Sequence, residues 1–376
     1  MREVHEWRTL FPITEKYNFQ NHAAVAPLSR SAADAMHAYV RSAADTAGLG
    51  QGFYEKAEKV RRDTAVLLNA DPREITFTKN TTEGLGWVAA GLDWNEGDNV
   101  VSTAVEFPAN VYPWMGLRAR GVELRQVAEQ GGRIPLEGLA DAIDARTRLV
   151  AVSAVQYASG FRMDLVGLSR LCRERGALLC VDAIQVLGML PVDVQAMGID
   201  FLSADGHKWL CGPEGCGLFY CRRDLLDRLE PAYAGWLCMV DALDFGNYRF
   251  EYLDSARKFD TGSYNLAGVL GMGGSIGRFL EVGLPRIWQR IEALTDRLVV
   301  GLEAKGYRIV SSRSKDEKSG IVAFASDRHD PASLQKRLLD EERIVIAVRE
   351  GRLRASPHFY NTDAEIDQLV EALPGH

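Results

Sequence analysis

The residues with the most chemistry in this chain sit where two apolar runs end. Lys208 lies in Ser203-Ala204-Asp205-Gly206-His207-Lys208-Trp209-Leu210-Cys211-Gly212-Pro213, just after an apolar run that ends at Leu202. Asp182 closes a second run, Leu178-Leu179-Cys180-Val181. A lysine amine in a small-residue turn can close a Schiff base on an aldehyde. A carboxylate at a strand end can keep a pyridine nitrogen protonated, so that the ring takes up electrons from a carbanion. Together they are what pyridoxal phosphate (PLP) requires. Alone, each is ordinary: a turn lysine is usually solvated, and an Asp closing a strand is usually a turn former or helix cap.

A phosphate needs a helix N-terminus and hydroxyls. Thr78-Lys79-Asn80-Thr81-Thr82-Glu83-Gly84 supplies both after the strand-like Ile75-Thr76-Phe77. Backbone N–H groups and the helix dipole favour an anion there, which makes Thr81 and Thr82 candidates beside their plainer role as caps. A substrate carboxylate is best held by the planar fork of an arginine. Val348-Arg349-Glu350-Gly351-Arg352-Leu353-Arg354-Ala355-Ser356-Pro357-His358-Phe359-Tyr360-Asn361 carries three arginines.

These strings resemble the class V aminotransferases, fold-type I PLP enzymes that include cysteine desulfurases, kynureninase and isopenicillin N epimerase-like proteins. The resemblance runs over residues 21–361. It implies a PLP Schiff base on Lys208, with Asp182 on the pyridine nitrogen. It places Thr81, Thr82 and His207 on the phosphate, and Gln185 on the cofactor's phenolic oxygen. Tyr157, in Gln156-Tyr157-Ala158-Ser159-Gly160, would touch that oxygen or the substrate. Glu106-Phe107-Pro108-Ala109-Asn110-Val111-Tyr112-Pro113-Trp114 resembles a desulfurase segment with Phe107 where a ring-stacking His stands. A Phe can stack but cannot carry a proton, and core packing competes as its role. Asp205 stands where desulfurases have a phosphate-binding Ser. An anion there repels phosphate, so Asp205 is set outside that site. Arg354 matches the carboxylate clamp and Arg349 a second active-site arginine. Phe259-Asp260-Thr261-Gly262-Ser263-Tyr264-Asn265 resembles a segment that crosses a dimer interface, which implies a homodimer with Ser263 at the partner's phosphate.

One departure shapes the expected reaction. Desulfurases carry a persulfide-forming Cys in a loop between the two arginines. Here only Glu350, Gly351, Arg352 and Leu353 lie between them, and no Cys follows Cys238. The sequence reading therefore disfavours classical cysteine desulfuration. It favours a class V aminotransferase or epimerase acting at Cα of an amino acid, as the short link between the arginines resembles the isopenicillin N epimerase-like branch. The alternatives are a desulfurase- or kynureninase-like β-lyase and a PLP-binding protein without turnover. A dinucleotide enzyme is disfavoured because no strand precedes the Gly-rich 266–280 segment with a G-x-G-x-x-G turn.

The elements that must position these groups follow from pattern. Leu149-Val150-Ala151-Val152-Ser153-Ala154-Val155 reads as a buried parallel strand. Residues 99–102, 178–181, 201–204 and 217–221 read as further strands. A helical pattern over 168–175 stops at Gly176. Strands separated by helices imply an α/β, mostly parallel sheet, seven-stranded in the fold the resemblance implies. Ile287, Ile291, Leu294, Leu298 and Leu302 share one helical face and lead to a smaller C-terminal α+β domain, with strands near 309, 321–324, 344–348 and 353–356. The expected division is an arm (1–18), a large PLP-binding domain (19–262) and a small domain (263–376). The polar run 311–318 reads as a solvated loop.

Length and composition fit such a plan. The chain has 376 residues, 25% charged and 47% hydrophobic, with a net charge of −7. A negative balance disfavours nucleic acid and anionic membranes as partners. No apolar run has membrane-spanning length, and the N-terminus lacks an apolar signal core, so a cytoplasmic location is the default expectation. The six cysteines form no C-x-x-C pair; neither a disulfide framework nor a metal site is expected.

Overall fold

The computed structural model describes residues 4–375. Its centre is a seven-stranded sheet. In spatial order the strands are Ile75–Thr78, Gly217–Cys221, Phe201–Asp205, Leu178–Asp182, Thr147–Ser153, Asn99–Thr103 and Glu123–Val127. Gly217–Cys221 runs antiparallel to both neighbours, and the other pairings are parallel. The α/β, mostly parallel expectation holds. The central strands are apolar on both faces because both faces are covered. Val150, Val152, Val181 and Leu202 enter one core, while Leu149, Ala151, Cys180 and Phe201 enter the opposite one.

The edge strand Glu123–Val127 escaped the sequence reading. Its residues are exposed or half-buried, so it lacks the apolar run that marks the central strands.

Helix Thr81–Gly91 packs on the sheet with its N-terminus at the strand ends. Gly84 permits that approach: a Cβ there would stand 2.4 Å from the Ser203 hydroxyl oxygen. The Ser203 hydroxyl then donates to the Thr81 carbonyl at 2.9 Å, tying the first turn to the sheet.

Helices Leu266–Val282 and Leu284–Ala304 follow, so the Gly-rich segment is a packed helix as expected. The predicted face of the second, Ile287 to Leu302, is fully buried. A four-stranded antiparallel sheet comes next, in the order Ala347–Arg349, Arg352–Ala355, Val322–Ala325, Arg308–Ile309. The strand expected over 344–348 is two pieces. Ile344–Val345 leaves this sheet and pairs in parallel with Asn18–Phe19.

The run 311–318 is not a free loop. Only residues 314–316 are exposed. The Ser311 hydroxyl donates to the Ser159 carbonyl at 2.6 Å, and Lys318 bonds Asp296 at 2.9 Å. No helix among the described residues is long and apolar enough to cross a membrane.

Candidate active site

The ends of the central strands open into a cavity of about 280 Å³. In open α/β sheets this is where ligands bind. Lys208 is 8% exposed and lies in a turn closed by the Cys211 N–H donating to the Lys208 carbonyl. Burial is the main cause that pulls its ammonium pKa down to about 8; Asp182 and Asp205 oppose that fall, while Arg354 and Arg349 reinforce it. Asp182 is fully buried, and desolvation pushes its carboxyl up to about 7 against the Ile184 N–H bond and the Lys208 charge. Both shifts say that these charged forms lack full compensation in the bare cavity.

The lysine shift predicts a rate. The neutral amine is the nucleophile toward an aldehyde, and its fraction rises as pH passes the folded-state pKa. Capture of PLP by cofactor-stripped protein should therefore speed up with a midpoint near pH 8, the value burial gives Lys208, not near 10.4 as for a free lysine. Stopped-flow absorbance across pH measures this; a midpoint above about 10 would contradict the buried environment.

Thr81 and Thr82 both line the cavity, as does the cap Asn80. The Thr81 hydroxyl oxygen accepts from the Asp205 N–H at 3.0 Å, while Thr82 is exposed. His207 lines the same wall, with Nδ1 at 3.1 Å from Asp205 Oδ1. Both atoms are buried without a hydrogen-bond partner. Asp205, which the sequence reading keeps off the phosphate, lines the cavity and faces His207.

Phe107 is 44% exposed and faces the cavity, so it is not a core residue. Its ring stands edge-on to Tyr157 at 5.3 Å, and the Lys208 amine lies 5.4 Å from its centroid. Gln185 accepts from Trp209 Nε1 and donates to the Ala23 carbonyl, each at 2.9 Å. One amide hydrogen is left for a ligand.

The strand bearing Arg354 is interior to the four-stranded sheet and directs it into the cavity. Arg354 is 1% exposed, and its Nη1 donates to the Tyr157 carbonyl at 2.5 Å. Its Nε and Nη2 are buried with no partner. Burial first, then the nearby Arg349 charge, pull its pKa down to about 9. An orphaned, buried guanidinium calls for an anion. Arg349 lines the cavity and spends Nη1 on the Val348 carbonyl. Ser263 is exposed and does not line this chain's cavity. It is the one candidate that the fold does not bring to the others.

Sequence reasoning missed Glu106. This buried carboxylate accepts from Thr103 Oγ1, Asn110 Nδ2, the Ser153 N–H and hydroxyl, and Gln156 Nε2. Asn110 Oδ1 in turn accepts from Trp114 Nε1 at 2.9 Å. The E-x-x-x-N-x-x-x-W spacing is therefore a hydrogen-bonded ladder that holds the segments carrying Phe107 and Tyr157. Glu106→Ala strands several buried donors and should cost about 2–4 kcal/mol of stability, read from the urea midpoint. An unchanged midpoint would remove the ladder's structural role.

The model of the family described as "Aminotransferase class-V" matches residues 18–369. The chain belongs to that family. A probable cysteine desulfurase of Methanothermobacter thermautotrophicus is 34% identical, covering 96% of this chain and 95% of the relative. One from Pyrococcus abyssi is 29% identical, covering 99% and 97%. The apo structure of a cysteine desulfurase from Thermococcus onnurineus NA1 superposes with a TM-score of 0.90 at 27% identity, over 99% of this chain and 97% of that one.

These relatives overturn one expectation. The missing cysteine loop disfavoured desulfurase chemistry and pointed to a transaminase or epimerase, yet whole-length relatives of this class V chain carry the desulfurase name. The missing thiol is one local feature of a short link, whereas the likeness to these relatives runs the length of the chain. All six cysteines are free and buried, and none lines the cavity.

The cofactor of this family is PLP, and the cavity's residues fit it. They offer a buried amine of lowered pKa, a buried carboxylate beside it, and helix-start hydroxyls at one end.

Proposed function

We propose that this protein is a PLP-dependent lyase that cleaves the carbon–sulfur bond of a cysteine-type amino acid. The observation that carries the reading is Arg354, whose two buried, unpartnered guanidinium N–H groups open on the cavity that also holds the Lys208 amine. An α-amino acid has its carboxylate and amine on one carbon, so the two groups suit it together. The desulfurase relatives support sulfur as the leaving atom. The cofactor supplies an electron sink for the Cα carbanion.

The chain's own residues supply the rest. Arg354 grips the α-carboxylate and fixes which bond at Cα faces the lysine. Lys208, returned to its neutral form, removes the Cα proton; its lowered pKa favours that form near neutral pH. Asp182 holds the pyridine nitrogen protonated, and Phe107 covers the ring. Thr81, Thr82 and His207 hold the phosphate, with Asp205 keeping the imidazole oriented. Gln185 donates to the phenolic oxygen. Two units frame the cavity, divided near residue 262. A homodimer, with Ser263 reaching the partner's phosphate, accounts for the exposure of Ser263 and of Leu243, Phe245, Tyr248 and Phe250.

The test is a product assay. Holoenzyme with L-cysteine and a reducing thiol should release sulfide at a rate proportional to enzyme. Accumulation of pyridoxamine phosphate without sulfide would overturn the reading in favour of amino transfer.

A further inference from the structure

The two cavity arginines are joined by a two-residue hairpin turn, Glu350-Gly351, between the paired Arg349 and Arg352. Both turn residues have positive φ, 50° for Glu350 and 71° for Gly351. A turn of this shape is served best by Asn or Asp before Gly, whose short polar side chains tolerate the left-handed region. Glu is a poor choice for the backbone, so what its side chain does at that place matters more than the turn itself.

That side chain reaches a residue of the cavity wall. Glu350 Oε1 accepts from the Tyr157 hydroxyl at 2.8 Å. Tyr157 lines the cavity, and its carbonyl accepts from Arg354 Nη1. One tyrosine thus spans from the carboxylate clamp to Glu350. The Glu350 carboxylate is exposed and makes no ion pair with any described residue, although Arg349 and Arg352 flank the turn in sequence. A solvated carboxylate bonded to a wall residue of that cavity, with no cation paired to it among the described residues, is a receptor for positive charge.

We propose that Glu350 is a specificity-determining residue that receives a cationic group at the far end of the substrate's side chain. The α-carboxylate lies on Arg354, so the side chain extends along Tyr157 toward Glu350. The favoured substrates are amino acids whose β-sulfur carries a second ammonium, through a thioether or a disulfide. The assignment rests on the proposed C–S lyase reading for the sulfur, but not for the charge.

Binding separates the two. L-lysine and L-2-aminoheptanoate have the same backbone and differ in an ammonium for a methyl at the chain end. Calorimetric titration of holoenzyme should give at least about tenfold tighter binding of L-lysine, equivalent to about 1.4 kcal/mol. In Glu350→Gln and Glu350→Asn the preference should fall below about threefold. Asn suits the turn, so Glu350→Asn should unfold at the wild-type temperature or above it, which separates lost recognition from lost folding. Equal binding of the two ligands by the wild type, or a preference that survives both substitutions, would overturn the assignment. Thiol release from S-(2-aminoethyl)-L-cysteine and S-propyl-L-cysteine then reads the chemistry. A lysine preference with no thiol from either compound leaves Glu350 assigned and sinks the lyase reading instead.

Discussion

Lys208→Ala should leave a folded protein that no longer turns yellow with PLP and loses turnover by roughly 10³-fold or more, since on the proposed reading it removes both a covalent anchor and a positioned base. Two observations set the size. The amine is 8% exposed and lies at the end of the strand Phe201–Asp205. Few other groups can take its place: the arginines of the cavity are not nucleophiles at neutral pH. Lys208→Arg keeps a charge and most of the bulk but not the nucleophile, so it should fail almost as completely. Absorbance in the visible range and reduction with borohydride read the anchor directly. A variant that retains a borohydride-fixed cofactor would move the anchor to another lysine and end the present assignment. Stability should change little or rise, because the substitution removes a buried ammonium whose desolvation outweighs its attraction to Asp182.

The parts of the molecule legible in the sequence are those where one physical demand dominates. The strands ending at Ser153, Asp182 and Asp205 are buried on both faces, so they read as apolar runs, and Asp182 at one such end lines the cavity. Helix Leu284–Ala304 has one buried face, so its leucines and isoleucines fell on a 3.6-residue period. The parts that escaped depend on two demands at once. Glu123–Val127 is an edge strand with little burial. Ile344 to Arg349 looks like one strand, yet it serves two sheets and changes partner at Ile346. Of the candidates that line the cavity, Lys208, Asp182 and Thr81 stand out by residue type at strand and helix ends, while Arg354 is singled out from three nearby arginines by the family resemblance. The contact of Asp205 with His207 Nδ1 at 3.1 Å is not legible in the sequence, because it depends on how the turn between them is folded. Glu350 gave no signal at all: a Glu in a short polar turn is ordinary until the φ angle and the Tyr157 contact are known. Missing cysteines misled for a different reason. An absence in one short link says less about the reaction class than a likeness that covers the whole chain.

The cavity is built so that charges are uncomfortable until ligands arrive. Burial raises Asp182, lowers Lys208 and lowers Arg354, each against its working charge state or toward a neutral one. A protonated pyridine nitrogen would answer Asp182, an aldehyde would take up the neutral Lys208 amine, and a carboxylate would answer Arg354. The fold holds these groups through connections that do not involve the ligand: the Glu106 ladder, the Gln185–Trp209 bond, and the Arg354 bond to the Tyr157 carbonyl. Such preorganisation shifts the cost of ordering the site to folding, so it is not charged against each turnover.

That view makes Arg354 the most telling residue for substrate. Its Nη1 is already committed to the protein, while Nε and Nη2 are buried and free. Those two N–H groups lie on one edge of the guanidinium and can meet both oxygens of a carboxylate at once. Arg354→Ala should weaken amino acid binding by about 2–5 kcal/mol, or roughly 30- to 4,000-fold. Arg354→Lys should recover little, since a point charge lacks the planar edge and its shorter reach leaves the Tyr157 carbonyl unbonded. The loss should fall on the apparent affinity for amino acids and spare PLP retention, because Arg354 belongs to the sheet Ala347–Ala355 and the anchor to the strand end at Asp205. Stability should hold or rise, as a buried cation with no counter-anion is removed. Titration of the holoenzyme's visible spectrum with an amino acid and with the matching decarboxylated amine decides it. Wild type should prefer the amino acid strongly and Arg354→Ala should bind the two alike; a variant that still prefers the carboxylate would hand that role to Arg349.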